Sequence, residues 1–209
     1  MSSDYINNIL ERLQNIDDDL LKKDILKLID ERNQLLNRFN VDALTGAYNR
    51  WILRNVDDYS TVVLCDIDNF KMINDRYGHK TGDRILKDVT NLLISNCNYG
   101  DIVCRYGGDE FLIIFKNSDE LLIKRKMEVI RDIIYSSNQI PNFKVSFSVG
   151  ISKYEYDKSL DDAINEADKA LYVSKSFGKN VITCYSDIEN TNKVIKKIKE
   201  DDMMSASNY

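Results

Sequence analysis

RYGGDEF, residues 105–111, sets two glycines and then two carboxylates, Asp109 and Glu110, between apolar runs. DIVCR (101–105) leads into it and FLIIF (111–115) follows at once. Two short apolar runs around a Gly-Gly turn predict a β-hairpin. Solubility alone could place acidic residues at its tip. A site for metal and phosphate would place them there for chemistry, and the rest of the chain decides between the two.

Working outward, TVVLC (61–65) is a continuous apolar run that predicts a central strand, ending at Asp66-Ile67-Asp68. A helix is predicted from Phe70 to Arg76, and another from Gly82 with Ile85, Leu86, Val89, Leu92 and Leu93 on one face. Ile123, Met127, Ile130 and Ile134 mark the next helix. Phe143, Val145, Phe147, Val149 and Ile151 alternate with Lys144, Ser146, Ser148 and Gly150, the pattern of a half-buried strand. Leu160, Ile164, Ala167, Leu171 and Ser174 form another helical stripe, and 181–184 a last short strand. The order β-α-β-β-α-β predicts an α+β domain over 41–184, a ferredoxin-like, palm-type central antiparallel sheet flanked by helices.

Residues 5–40 carry no Gly or Pro and repeat apolar residues at helical spacing: Ile9, Leu13, Ile16 and Leu20, then Leu21, Ile25, Leu28, Leu35 and Phe39. They predict an N-terminal amphipathic segment over 1–40, either packed on its own domain or paired with a second copy as a coiled coil. Its place ahead of the compact pattern favours pairing. The tail, 185–209, is polar except for Val194, Ile195 and Ile198, and is expected to be a short fraying helix without chemistry.

Composition narrows the function classes. With 209 residues, 43% hydrophobic, the chain can bury a full core. A net charge of −5 argues against a broad nucleic-acid-binding surface. No apolar run approaches the roughly 18 residues of a membrane span, and the N-terminus lacks a basic, apolar leader. Cys65, Cys97, Cys104 and Cys184 are scattered without metal-ligand spacing, with Cys65 and Cys104 in apolar runs, which fits a reducing, cytoplasmic setting. His79 is the only histidine, so a His-rich zinc site is excluded.

The chemistry gathers where the few glycines do. The eight glycines concentrate beside Asp66, Asn74, Asp83, Asp109 and Glu110, as shaped turns around a ligand would. Asp66 and Asp68 close the first strand, and Asp109 and Glu110 sit on the hairpin. If those strands are neighbours, the carboxylates converge, and such a cluster calls for Mg²⁺ with substrate phosphates. Lys71, with free N–H groups of the first helical turn, is placed to hold a polyphosphate.

On these residues the chain resembles the GGDEF-domain diguanylate cyclases. DALTGAYNR (42–50) is similar to that family's DxLTGLxNR, with Ala47 in place of leucine. Residues 66–86 follow DxDxFKxINDxxGHxxGDxxL, Ser148–Ile151 resembles the late-strand motif, and residues 167–180 resemble ADxALYxAKxxGRN. The resemblance covers about 41–184 and holds five ordered motifs at matching gaps.

The resemblance implies condensation of two GTP into cyclic di-GMP and two pyrophosphates, across a homodimer joined through the N-terminal helix. It implies two Mg²⁺ per active site, with Mn²⁺ as an alternative, held by Asp66, Asp109, Glu110 and the Ile67 carbonyl. One of the acidic pair, Asp109 in first place, would help deprotonate the attacking 3′-hydroxyl. Asn74 and Asp83 would read guanine, whose N1–H and exocyclic amine suit a carboxylate acceptor. Lys71, Lys175 and Lys179, with the backbone N–H groups of Asn69 and Phe70, would bind phosphates. Gly107 and Gly108 would admit the nucleotide against the backbone. His79, Arg50 and Arg105 read as structural or interface residues.

Two departures from the family pattern stand out. Lys179 replaces the usual arginine, which keeps charge and loses bidentate geometry. The product-inhibition motif RxxD is Asn98-Tyr-Gly-Asp101 here, without its arginine, so weak or no feedback inhibition is expected. A catalytically silent GTP-sensing module is a rival reading, opposed by the presence of every acidic and base-reading residue. A mixed cyclic GMP-AMP synthase is a third, opposed by Asp83.

Overall fold

A computed structural model describes residues 8, 11–12, 19–56, 61–116, 118–137, 140, 143–155 and 157–192. The elements run α1 (Asp19–Phe39), β1 (Tyr48–Asn49), a 3-10 turn (Arg50–Asn55), β2 (Thr61–Ile67), α2 (Phe70–Tyr77), α3 (His79–Ser95), β3 (Ile102–Arg105), β4 (Glu110–Phe115), α4 (Glu120–Ser136), β5 (Phe147–Lys153), α5 (Leu160–Ser176) and β6 (Ile182–Cys184). The sheet order is β1-β3-β4-β2-β5-β6. Its four central strands pair antiparallel, in the expected β-α-β-β-α-β arrangement, and parallel edge strands β1 and β6 extend it.

Strand alternation sends side chains to two cores. Val63, Cys65, Ile67, Phe111, Ile113 and Phe147 pack with Ile73 of α2, Ile85 and Leu86 of α3, and Met127 and Ile130 of α4. Val62, Leu64, Leu112 and Ile114 pack on the other face with Ala163, Ala167 and Leu171 of α5. Cys65 and Cys104 are buried thiols, as expected.

The half-buried strand over 143–151 is corrected. β5 starts at Phe147 and is buried on both faces, with Ser148 and Ser152 fully inaccessible. Its polar-looking face is covered by α5. A Cβ at Gly150 would run into the Ala167 carbonyl and the Leu171 amide. Serine and glycine are there because they are small enough to admit a helix, not because the face is wet. Two helices also begin or end off their expected bounds: α3 starts at His79 rather than Gly82, and α2 reaches Tyr77.

α1 is one continuous helix, and its stripe is not buried by the domain. Leu21 is 47% exposed, Leu28 63%, Leu35 54% and Phe39 72%. Ile9, Leu13 and Ile16 lie outside the described residues, as do Val194, Ile195 and Ile198. Residues 185–192 are helical and are tied to α4 through Lys124–Asp187 at 3.0 Å and Ser186–Glu120 at 2.8 Å.

Candidate active site

The hairpin and the end of β2 meet as expected. β2 and β4 place Asp66 directly opposite Glu110. The Ile67 amide donates to the Asp109 carbonyl at 3.2 Å, and the Tyr106 and Gly107 amides close the turn onto the Glu110 carbonyl at 2.8 and 3.2 Å. Neither Gly107 nor Gly108 has a positive φ. What glycine leaves at 107 is space: a Cβ there would displace the Glu110 carboxylate from its place over the turn.

Arg105 braces this turn from below. Its Nε and Nη2 donate to the Gly108 carbonyl at 3.2 and 2.7 Å, and its Nη1 to Asp42 at 3.2 Å. Asp42 also accepts from the Thr45 amide and hydroxyl at 2.9 and 2.6 Å. Burial raises the Asp42 carboxyl, but the Thr45 and Arg105 donors outweigh it and hold it below its ordinary value. The motif at 42–50 is thereby joined to the motif at 105–111, a link that motif spacing alone does not reveal.

Asp66 is 14% exposed in its side chain and pairs with Lys175 Nζ at 2.9 Å. Burial pushes its carboxyl up, Lys175 opposes this, and Asp109 and Glu110 push it up further. Among the described residues no group of three His, Cys, Asp or Glu side chains forms a ready metal cage. Mg²⁺ does not need one, since it commonly takes one or two carboxylates and completes its shell with phosphates and water. Hard carboxylate oxygens that face each other across a ladder, already drawing an ammonium, fit such an ion.

Asp68 does not join this cluster, which corrects the expected convergence of both strand-end aspartates. It is 2% exposed and turned inward. It accepts from Ser146 Oγ and Ser148 Oγ, each at 2.7 Å, and from the Asn180 amide at 3.0 Å.

The remaining site residues fall around this centre. Asn69 caps α2 in a left-handed conformation, φ 59°, and its Oδ1 accepts from Lys179 Nζ at 2.6 Å. Lys71 is exposed on the first turn of α2, in an open groove with Asn69, Met72, Asp75 and Arg76. Phe70 is buried, so only its backbone is available to a ligand. Asn74 Oδ1 is buried without a hydrogen-bond partner, against the spot where Gly82 lacks a side chain. An orphaned acceptor of this kind wants a donor, which a base could bring. Asp83 and His79 are exposed on α3.

The match to known proteins agrees with this geometry. The family model "Diguanylate cyclase, GGDEF domain" matches residues 28–181. The chain belongs to the GGDEF-domain family. Diguanylate cyclase A of Treponema denticola is 37% identical over 130 residues, covering 59% of this chain and 34% of that protein. The uncharacterized protein YtrP of Bacillus subtilis is 36% identical over 167 residues, covering 76% of this chain and 28% of that protein. The chain therefore spans about a third of the length of these two curated relatives. The GGDEF domain of DgcB from Caulobacter crescentus, solved with c-di-GMP, superposes with a TM-score of 0.66 at 27% identity, covering 70% of this chain and 96% of that one. No helix among the described residues is long and apolar enough to cross a membrane.

Proposed function

We propose that this GGDEF chain is a diguanylate cyclase that condenses two GTP into cyclic di-GMP and two pyrophosphates. The observation that carries the reading is Asp66 facing Glu110 across the β2–β4 ladder, beside Asp109 and within reach of Lys175. Asp66, Asp109, Glu110 and the Ile67 carbonyl would hold Mg²⁺, two per site, with Mn²⁺ as an alternative. When bound, the metal supplies charge neutralisation for nucleotidyl transfer.

The chain's own residues do the rest. Asp109 is assigned as acceptor of the 3′-hydroxyl proton. Lys71, Lys175, Lys179 and the Asn69 and Phe70 amides hold the triphosphate of GTP. Asn74 and Asp83 read guanine: Asp83 accepts from N1–H and the exocyclic amine, a donor pair that adenine lacks. Each subunit holds one GTP, so two copies must face each other, and the exposed leucine stripe of α1 is the surface proposed to pair them. A cytoplasmic location fits free thiols and a nucleotide substrate.

The test is incubation of the purified protein with Mg²⁺ and GTP, then with GTP plus ATP, and mass spectrometry of the products. Cyclic di-GMP from the wild type, and none from Asp109→Ala/Glu110→Ala, is the expected result. No product at high protein concentration would overturn the cyclase reading in favour of a GTP-sensing module.

A further inference from the structure

Among the described residues, the non-glycine positions with positive φ are Asn69 (59°), Lys179 (67°) and Asn180 (54°). They lie 110 positions apart in the chain, in the turn after β2 and the turn before β6, yet one hydrogen-bond network joins them. Lys179 Nζ donates to Asn69 Oδ1 at 2.6 Å, and the Asn180 amide donates to Asp68 Oδ2 at 3.0 Å. Ser146 and Ser148 hold the same carboxylate from β5 and the residues before it. Left-handed backbone at residues other than glycine costs free energy and persists only where the surroundings enforce it. Here the Asp68 carboxylate is one of those surroundings, beside the hydrogen bond of the Lys179 amide to the Ser174 carbonyl at 3.2 Å. Asn180 Oδ1 is itself buried without a partner.

From this geometry we infer that Asp68 is a positioning residue: it clasps the 178–180 turn to the 68–70 turn, and so sets the cradle for the GTP triphosphate. The inference rests on the cyclase reading for the identity of the ligand. Asp68 acts through the two turns rather than on the ligand itself. It fixes the Asn69 and Phe70 amides and the Lys179 ammonium relative to one another. Without the clasp the two turns relax separately, and the donors lose their common aim.

The test measures binding, by calorimetry on the full chain with Mg²⁺, of 3′-deoxy-GTP, which lacks the attacking hydroxyl, and of GMP, which lacks the outer phosphates. Asp68→Ala is expected to weaken 3′-deoxy-GTP by about tenfold or more, the scale of one charge-assisted hydrogen bond, and to leave GMP unchanged within about twofold. Asp68→Asn is expected to bind within about threefold of wild type, because its carbonyl oxygen still accepts from Asn180 while its amide donates to the Ser148 hydroxyl. Ser146→Ala, at a half-buried position, removes a hydroxyl that aims the same carboxylate, is expected to weaken 3′-deoxy-GTP severalfold, and reads the clasp even if Asp68→Ala fails to fold. Equal losses for both ligands would mean a general structural role and overturn the positioning claim, as would Ser146→Ala binding like wild type, or Asp68→Asn behaving like Asp68→Ala. A wild type that binds neither nucleotide would instead overturn the cyclase reading on which the clasp depends.

Discussion

Lys175 Nζ sits 2.9 Å from Asp66 Oδ2, with 36% of the lysine side chain and 14% of the aspartate side chain exposed. A cation already occupies the acidic end of β2, supplied by α5. Removing it leaves Asp66 facing Asp109 and Glu110 uncompensated. Lys175→Met is expected to lose about 1 kcal/mol in EDTA, about 2–4 °C in melting temperature for a domain of this size. Added Mg²⁺ should then raise the melting temperature of the variant more than that of wild type. Equal Mg²⁺ responses in thermal melts would contradict the competition.

Gly82 borders the Asn74 amide and the edge of the Phe70 ring rather than backbone, so a new Cβ there displaces the Asn74 amide first. Gly82→Ala is expected to fold within about 1 kcal/mol of wild type while turning the Asn74 amide away. Steady-state kinetics should show KM for GTP raised about tenfold with a smaller change in kcat. An unchanged KM would mean that Asn74 does not contact the base.

The Asp42–Arg105 pair gives a pH signature. The Asp42 carboxyl is depressed in the folded state, so its stabilisation is fully present above the ordinary value of 3.8 and is lost as pH falls through the lower folded value. The melting-temperature gap between wild type and Asp42→Asn should be constant near neutrality and close only in acid, below about pH 4. A gap independent of pH down to pH 2 would contradict the role of the ionised form.

Asp101, the acid of the would-be product site, has both oxygens engaged by backbone: Oδ2 accepts from Asn98 at 2.7 Å and Oδ1 from Lys116 at 2.9 Å. With Asn98 in place of arginine, no fork of donors is present for a product phosphate. Initial rates are expected to be unchanged by micromolar cyclic di-GMP. Sub-micromolar noncompetitive inhibition would refute this.

Deleting residues 1–38 should leave a folded domain, because the contacts that start it, Asn49 to the Phe39 carbonyl at 2.6 Å and the Asn49 amide to the Asn40 carbonyl at 2.6 Å, are retained. Specific activity is expected to fall at micromolar protein and to rise with concentration. Activity that does not change on dilution would argue against pairing through α1.

The meeting of Asp66 with the hairpin was readable because both motifs sit at ends of apolar runs, and antiparallel neighbours bring such ends together. Asp68 was misread for a definable reason. Side chains two apart share a face only while the strand lasts, and β2 stops at Ile67. Past it the chain turns into α2, and Asp68 swings inward to Ser146 and Ser148. Ser148 and Gly150 misled in the opposite sense, since smallness and polarity look alike in one-letter code. β1, two residues long, offers no period to detect. The Arg105–Asp42 brace spans 63 positions, beyond any local pattern.

The register of the central strand also bears on how this chain is made. β2 leaves the ribosome before its partner strand: its Ile67 pairs with Phe147, about 80 residues later. At translation speeds that is a wait of roughly 4–16 s. For that interval TVVLC is a nascent apolar ribbon with an open edge, the kind of segment that associates with other chains. The same pairing that buries the central strand in the finished molecule leaves its edge open during synthesis, when contact with other chains competes with folding.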